Sequence, residues 1–530
     1  MPKVLISDTL SDEGLEILKR APGIEHEYRP GLSEDELAQA IKGVDGLVIR
    51  SGSKVTAKVL ASADRLKVVG RAGIGVDNVD VKEASRRGVI VMNTPTGNAV
   101  TTAEHAIALL FATARKIAFT DALMKQGVWE KKLGSGRELA GKTLGVVGLG
   151  NIGRIVADRA QGLRMSVIGF DPVMSKERAA ELGIELVSID ELFRRSDAIT
   201  VHTPLTPETK GLVDDAAIDK MKPGVILINA ARGGIYDEDA LVRGLESKKI
   251  GGVGIDVFPK EPPGLTPLVK HPNVVATPHL GASTQEAQDR VALEIAEQVV
   301  AYLTKGEIKN SVNVPSVPAE MASVLGPYLV LGSRLGAFLG QVESLSPRSI
   351  EVAFSGEAAG LHSAPVVNAT LSGVLRHFLD NEVNPVNAPL IAQDRGIAVQ
   401  QRTTTEKSRF STLVSLTVTG ASGETVTVAG TLAADGSPRL VSWGRYRMDA
   451  QLEGSVLVIQ NEDRPGVIGA LGTLLGGANI NVSRMQVGLA EDKKDAASLW
   501  ALDAPLSDQL LERVRSVHDV KAAFRVALTD

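Results

Sequence analysis

The sequence of 530 residues has no cysteine. Disulfides, thiolate nucleophiles, Cys-ligated zinc and iron–sulfur clusters are therefore excluded together, and any catalysis must use other side chains. A charge excess is also missing: the net charge of −5 gives no global field favouring nucleic acid or an anionic membrane. Any anion must be held locally. No uninterrupted apolar run approaches the ~20 residues needed to span a bilayer. The opening MPKVLISDTL reaches Asp8 before a signal-peptide apolar region can form, so a cytoplasmic protein is expected. What remains is 44% hydrophobic and 23% charged residues, the balance of a folded globular chain rather than a disordered one. At roughly 150 residues per domain, the length implies three or four domains.

Short β-branched runs alternate with amphipathic segments from the start. Lys3 to Ser7, Gly46 to Arg50, Lys67 to Arg71 and Val89 to Asn93 read as strands, with helical patterns at 12–20 and 34–42. Such alternation, with strands apolar throughout, implies a parallel α/β sheet covered on both faces. Ala99 to Gln126 reads as one connecting helix. A second series follows at Thr143 to Gly148, Met165 to Asp171, Ala198 to Thr203, Val225 to Ala230, Gly252 to Asp256 and Val274 to Thr277. Six such strands suit a doubly wound nucleotide-binding domain. A helix from Thr284 to Thr304 then leads into NSVNVPSVPAE, which reads as a linker with a boundary near 316. Residues 317–452 have a mixed α+β character without a chemical motif, and 453–530 have a βαββαβ order, the ferredoxin-like arrangement.

In TLGVVGLGNIGR, Gly148, Gly150 and Gly153 follow an apolar strand and precede a helical pattern. This spacing lets the chain turn, the backbone approach a pyrophosphate, and helix and strand pack closely, with the phosphates at the positive helix end. Asp171 ends the next strand, near the ~20-residue offset at which an acid meets a ribose 2′-hydroxyl. An acid there repels a 2′-phosphate, so NAD is favoured over NADP.

Histidine titrates nearest neutrality and is the natural proton acceptor. Of the eight histidines, most lie in segments without a motif. His105 sits inside a helical pattern, and His202 in VHTP reads equally as a spacer or a contact. His279 differs because it follows a strand in TPHLGAST, at the carboxyl end where open α/β sheets place ligands. Arg232 in NAARGG and Glu261 in DVFPKEPP follow strands of the same series. Oxidising a 2-hydroxy acid by hydride transfer needs a base for the hydroxyl proton, a group that orients the base, and a cation for the carboxylate and developing carbonyl. His279, Glu261 and Arg232 fill these roles, and no metal is required.

GLGNIG with Asp171, NAARGG, DVFPKEPP and TPHLGAST resemble the successive signatures of the D-2-hydroxyacid dehydrogenase family. The resemblance implies that the Arg, Glu and His of the last three are catalytic, and that NAD contacts extend to Asn151, Ile152, Thr203, Ala230 and Asp256. It further implies a Rossmann-type nucleotide domain, 98–283, inserted in a flavodoxin-like substrate domain, 1–97 with 284–316. The crevice between them would close on substrate.

Arg50 ends GLVIR and Arg71 ends KVVGR, so both should point into that crevice. Two guanidinium groups suggest a substrate with a second anion, and Arg matches phosphate oxygens geometrically. RSGSKVT, VVGRAGIGVDNVD and TPTGNAVTTAEHA resemble the substrate-domain motifs of the branch of the family that oxidises 3-phosphoglycerate to 3-phosphooxypyruvate, the first committed step of serine synthesis. By this likeness Asn98 contacts the substrate carboxylate. Ile74 departs from the pattern, because several relatives carry a hydroxyl there near the cofactor. NEDRPGVIGALGTLLGGANINVSRMQ resembles an ACT regulatory module. There Asp463, Gly466 and Asn481 would bind an amino acid, with serine the expected effector, across a paired interface. A homo-oligomer, dimer or tetramer, is implied. Two other readings stay open: a glyoxylate or hydroxypyruvate reductase, and a dinucleotide-sensing corepressor without turnover.

Overall fold

The computed structural model describes residues 1–528 apart from 316–318, 344–345, 380–382, 405–408, 491 and 493, and apart from the side chains of 319, 320 and 322. The linker expected around 316 lies outside the described residues.

The first sheet contains β1 (Lys3–Ile6), β2 (Glu25–Tyr28), β3 (Gly46–Ile49), β4 (Val68–Arg71) and β5 (Ile90–Met92), all parallel, in the order β2-β1-β3-β4-β5. That is the flavodoxin-like order. β2, sequence EHEY, is half-exposed at the edge and has no apolar run, so the sequence pattern passes over it. Both faces of the sheet are apolar. One packs on helix Gln285–Lys305 through Val291, Ile295 and Val299, and the other holds Leu37, Ile41, Val59 and Leu60. The long helix starts where Thr284 Oγ1 accepts from Ala287 N at 3.2 Å and ends at Gly306, φ 70°, a side-chain cap and a left-handed stop.

The second sheet contains β6 (Thr143–Val147), β7 (Ser166–Phe170), β8 (Glu185–Leu186), β9 (Ala198–Val201), β10 (Val225–Asn229), β11 (Ile250–Ile255) and β12 (Val274–Ala276). It is parallel, in the order β12-β11-β10-β9-β6-β7-β8. This is the Rossmann order with one strand more than the six expected, because the two-residue β8 is too short to leave a pattern. The connecting segment is two helices rather than one. Ala99–Ala114 packs its Leu109 and Leu110 into this sheet's core. At Lys116 the backbone turns left-handed, φ 53°, and Ile117–Lys125 then buries no residue. Apolar periodicity runs unbroken through the turn because the second helix carries its apolar residues on an outward face, with Ile117 and Met124 about half exposed (52% and 51%).

The remaining strands are β13 (Pro347–Gly356), β14 (Ala398–Thr404), β15 (Thr412–Gly420), β16 (Thr425–Leu432), β17 (Pro438–Trp443), β18 (Tyr446–Gln451), β19 (Gly454–Glu462), β20 (Val482–Ala490), β21 (Asp495–Leu502) and β22 (Val520–Leu528). The last four have the ferredoxin-like order β20-β21-β19-β22. The two regions read separately from sequence share one ten-stranded sheet, joined where β18 meets β20 at Tyr446–Ala490 and Arg447–Leu489. Arg445 and Lys521 pair with the largely buried Asp495 beside this seam. Gln341, on helix Ala319–Val342, exchanges two hydrogen bonds with the backbone of Ala527, at 2.9 and 3.0 Å. Nothing in a ferredoxin-like strand order announces that its edge strand continues a neighbour's sheet. Asn384 Nδ2 donates to Gly88 O at 3.0 Å, and Val386 enters the first sheet's core.

Candidate active site

The second sheet reverses its winding between β6 and β9, which opens a crevice at the carboxyl ends of its strands. Gly148, Asp171, Thr203, Ala230 and Asp256 each follow a strand of this sheet directly or within two residues.

The glycine loop is shaped for a pyrophosphate. Gly148 has φ 86°, and a Cβ there would lie 2.7 Å from His202 O. A Cβ on Gly153 would lie 1.9 Å from Gly148 O, whereas one on Gly150 would meet nothing within 4 Å. Two positions are thus closed to side chains by close backbone packing, and the third faces the open crevice. Helix Asn151–Gly162 begins there without a side-chain cap, leaving its first N–H groups for an anion. Asp171 is held by Leu149 N (2.8 Å), Val173 N (2.9 Å) and Met174 N (3.1 Å), an acceptor fixed at the crevice for ribose hydroxyls. Thr203 Oγ1 is buried with no hydrogen-bond partner among the described residues, as a hydroxyl awaiting a ligand would be. Asn151 Nδ2 donates to Pro95 O at 3.1 Å, and Ile152 packs against the core, so their side chains shape the site's wall. These features fit NAD. The His202 ring bonds Thr200 Oγ1 at 2.9 Å through Nε2, its Nδ1 is buried without a partner among the described residues, and burial pushes its pKa down to about 3.

His279 and Glu261 meet. His279 Nδ1 lies 2.7 Å from Glu261 Oε2, and Glu261 Oε1 accepts from Phe258 N at 3.1 Å. With Nδ1 donating to the carboxylate, Nε2 is left as the acceptor that can take a hydroxyl proton. Both side chains are accessible, at 50% and 38% exposure, as a pair that must meet substrate requires. His279 itself is left-handed, φ 55°, an uncommon conformation for a residue with a Cβ.

Asp256 holds that conformation. Its carbonyl accepts from His279 N at 2.9 Å. Its carboxylate, fully buried, accepts from Thr277 Oγ1 (2.6 Å), Leu280 N (2.7 Å) and Gly281 N (2.8 Å), with His105 Nε2 at 3.2 Å. Burial works to raise the Asp256 pKa, and the hydrogen bonds, His105 first, outweigh it and hold the carboxyl below the usual range. His105 is therefore more than a residue of a helical pattern: it reaches the loop that carries His279 through Asp256. No spacing in the sequence signals this, since the contact exists only because helix Ala99–Ala114 packs on β10 and β11.

Arg232 follows β10, adjacent to β11 and one strand removed from β12. The backbone beside it lies against Phe258, where a Cβ on Gly233 would come within 2.0 Å. No direct bond joins Arg232 to the His–Glu pair among the described residues; the three residues follow the neighbouring strands β10, β11 and β12. Across the crevice, Arg50 follows β3 and Arg71 ends β4. Arg71 is half-buried, and its Nε has no hydrogen-bond partner among the described residues. Burial, then the Arg232 and Arg50 guanidinium groups, push its pKa down to about 10, so it stays charged at neutral pH. Asn98 Oδ1 is buried without a partner among the described residues, an acceptor that calls for a donor rather than an anion, so of this side chain only the amide Nδ2 could serve a carboxylate. Three neighbouring cations, one of them with a buried N–H left without a partner among the described residues, describe a place for an anion.

Comparison with known proteins agrees with this geometry. The D-isomer specific 2-hydroxyacid dehydrogenase, NAD binding domain, family matches residues 107–281, the D-3-phosphoglycerate dehydrogenase intervening domain 324–443, and the ACT domain 455–518. D-3-phosphoglycerate dehydrogenase of Synechocystis is 40% identical, covering 100% of this chain and 95% of its own. That of Archaeoglobus fulgidus is 40% identical over 99% and 100%. The chain belongs to the D-3-phosphoglycerate dehydrogenase family. It is an NAD-dependent oxidoreductase. D-lactate dehydrogenase of Aquifex aeolicus, solved with NAD and lactic acid, superposes on 59% of this chain and 100% of its own, with TM-score 0.51 and 29% identity.

The family's ACT region carries the third predicted site. Asp463 and Gly466 follow β19, and Asn481 precedes β20. β19 and β20 both pair antiparallel to β21, with Glu462 opposite Asp495 and Val482 opposite Leu502. Asp463 and Asn481 consequently lie at opposite ends of the sheet, roughly 25–30 Å apart at ~3.3 Å per residue. One chain does not bring them together. All three are exposed.

Proposed function

We propose that this family member oxidises D-3-phosphoglycerate to 3-phosphooxypyruvate in the crevice between the first and second sheets. The observation that carries the reading is the His279–Glu261 pair at 2.7 Å, and the grouping of Arg232, Arg71 and Arg50 supports it. Substrate domain 1–97 with 284–316 supplies Arg50, Arg71 and Asn98. Nucleotide domain 98–283 supplies the NAD contacts Gly148, Gly150, Asn151, Ile152, Gly153, Asp171, Thr203 and Ala230, together with the catalytic side chains, while Asp256, expected among the contacts, is fully buried and instead holds the loop that carries His279. Arg71 and Arg50 take the phosphate, while Arg232 and Asn98 take the carboxylate. His279 Nε2 accepts the C2 hydroxyl proton, and Glu261 stabilises the resulting imidazolium. Arg232 stabilises the oxygen as the C2–O bond gains double-bond character. NAD, when bound, supplies the hydride acceptor. NADH formation should be efficient with 3-phosphoglycerate and at least tenfold less so with glycerate; equal rates with both acids would remove phosphate from the specificity.

The reading places serine at the ACT domain, 453–530, with Asp463 facing the ammonium and Asn481 and the Gly466 helix start facing the carboxylate. Because these residues lie at opposite sheet ends, a complete site needs a second copy, which supports a homo-oligomer. Two apolar surfaces support the same assembly: Ile117, Met124, Trp129 and Leu133 on the nucleotide domain, and Ile468, Met485, Val487 and Leu489 on the ACT domain, all exposed. The reading is of a dimer or tetramer working in the cytoplasm. Asp463→Ala should abolish serine inhibition with basal turnover intact; inhibition that persists unchanged in steady-state assays would remove Asp463 from the effector site.

A further inference from the structure

Arg232 has a partner on the opposite side of the crevice. Its Nε donates to Asp77 Oδ2 at 2.7 Å, and its Nη1 donates to Ala231 O at 2.6 Å. Asp77 belongs to the loop after β4, in the first-sheet half, whereas Arg232 follows β10 in the second. Among the described residues, no other ion pair joins these two halves. The same loop forms a sleeve for the guanidinium: a Cβ on Gly75 would fall 1.6 Å from Arg232 Nη2 and 2.9 Å from Asp77 Oδ2. A side chain at position 75 would displace the guanidinium from this place.

From this geometry we infer that Asp77 is a positioning residue for Arg232, and that it orients the substrate-facing guanidinium only when the two halves of the crevice come together. The inference rests on the reading of Arg232 as the cation for the substrate carboxylate. An unrestrained Arg side chain samples many rotamers and loses that freedom when it binds. Two acceptors, Asp77 on Nε and Ala231 O on Nη1, fix the guanidinium plane and leave the remaining N–H groups without a protein acceptor among the described residues, with Nη2 lying against Gly75. Fixing the fork before substrate arrives lowers the ordering cost of binding. The role is geometric more than electrostatic, because the Asp77 side chain is 68% exposed and water screens a charge placed there. Asp77 is also set apart from the other acid at this end of the sheet. Asp8 is buried and held by Arg50 N at 2.6 Å and Ser53 N at 3.0 Å, which is a structural use of a carboxylate.

The test is a mutant cycle on the full chain with NAD and 3-phosphoglycerate. Asp77→Ala should lower kcat/KM about tenfold, the order of one charge-assisted hydrogen bond, mainly through KM for 3-phosphoglycerate, with NAD affinity and thermal midpoint unchanged. Asp77→Asn keeps an oxygen acceptor and should recover most of the loss. In an Arg232→Gln background, Asp77→Ala should add less than twofold, since contacting residues are non-additive. A single-variant effect below twofold, full additivity in the cycle, or an Asn variant as impaired as Ala would each overturn the inference. Arg232→Gln alone behaving like the parent would instead overturn the role of Arg232 itself.

Discussion

Replacing His279 with alanine lowers turnover by roughly 10²–10⁴-fold, the range contributed by a positioned general base, and leaves NAD affinity unchanged. The separation follows from where the residue sits. His279 is on the loop after β12, whereas the glycine loop and Asp171 follow β6 and β7 on the other side of the switch point. The loss should fall on kcat and on kcat/KM alike, because the proton is transferred in the transition state and hardly touched in the ground state. His279→Gln is the informative companion. It keeps a polar side chain near Glu261 and cannot accept and return a proton at neutral pH, so it should be as inactive as the alanine variant. Steady-state NADH formation beside NAD titration by fluorescence measures both halves, and turnover within tenfold of the parent would remove His279 as the base.

Arg71→Ala should raise the KM for 3-phosphoglycerate roughly 10- to 100-fold, the equivalent of a hydrogen bond to a charged group worth ~1.5–3 kcal/mol. The effect on a non-phosphorylated 2-hydroxy acid should be slight. Arg71 is half-buried with its Nε lacking a partner among the described residues, and burial with the Arg232 and Arg50 charges outweighs the attraction of Asp77 and Asp8, so the free protein holds a cation that an arriving anion would stabilise. Removing that cation relieves repulsion in the free state and removes attraction in the bound one. The variant should therefore fold at least as well as the parent while binding phosphate poorly. Arg71→Lys should recover little, since a point charge does not reproduce the guanidinium fork. Parallel KM measurements on 3-phosphoglycerate and glycerate decide it, and an equal rise for both acids would place Arg71 away from the phosphate.

Much of the fold was legible wherever a pattern is local. The glycine spacing around Gly148 reports a turn and a close approach within one strand–helix unit, and apolar strands at regular intervals report a parallel sheet. The edge strand β2 was not legible because EHEY carries no apolar run. The break at Lys116 was not legible either, because the periodicity of a helix does not say which apolar residues find a core. At the site, Arg232, Glu261 and His279 could be proposed from position at strand ends, since a strand end in an open sheet already points at the crevice.

The sequence by itself determined the strand series, the dinucleotide fingerprint, and the three chemical groups that a hydride transfer needs. Tertiary structure alone decided that His105 supports the loop that carries His279 through Asp256, that Asp77 reaches Arg232 across 155 residues of chain, that Asp463 and Asn481 stand at opposite sheet ends, and that β18 continues into β20. The reason is physical. Turn chemistry and strand periodicity act between neighbours along the chain, whereas these contacts exist only after helices and sheets have packed, and many sequences that differ at such positions share the same local pattern.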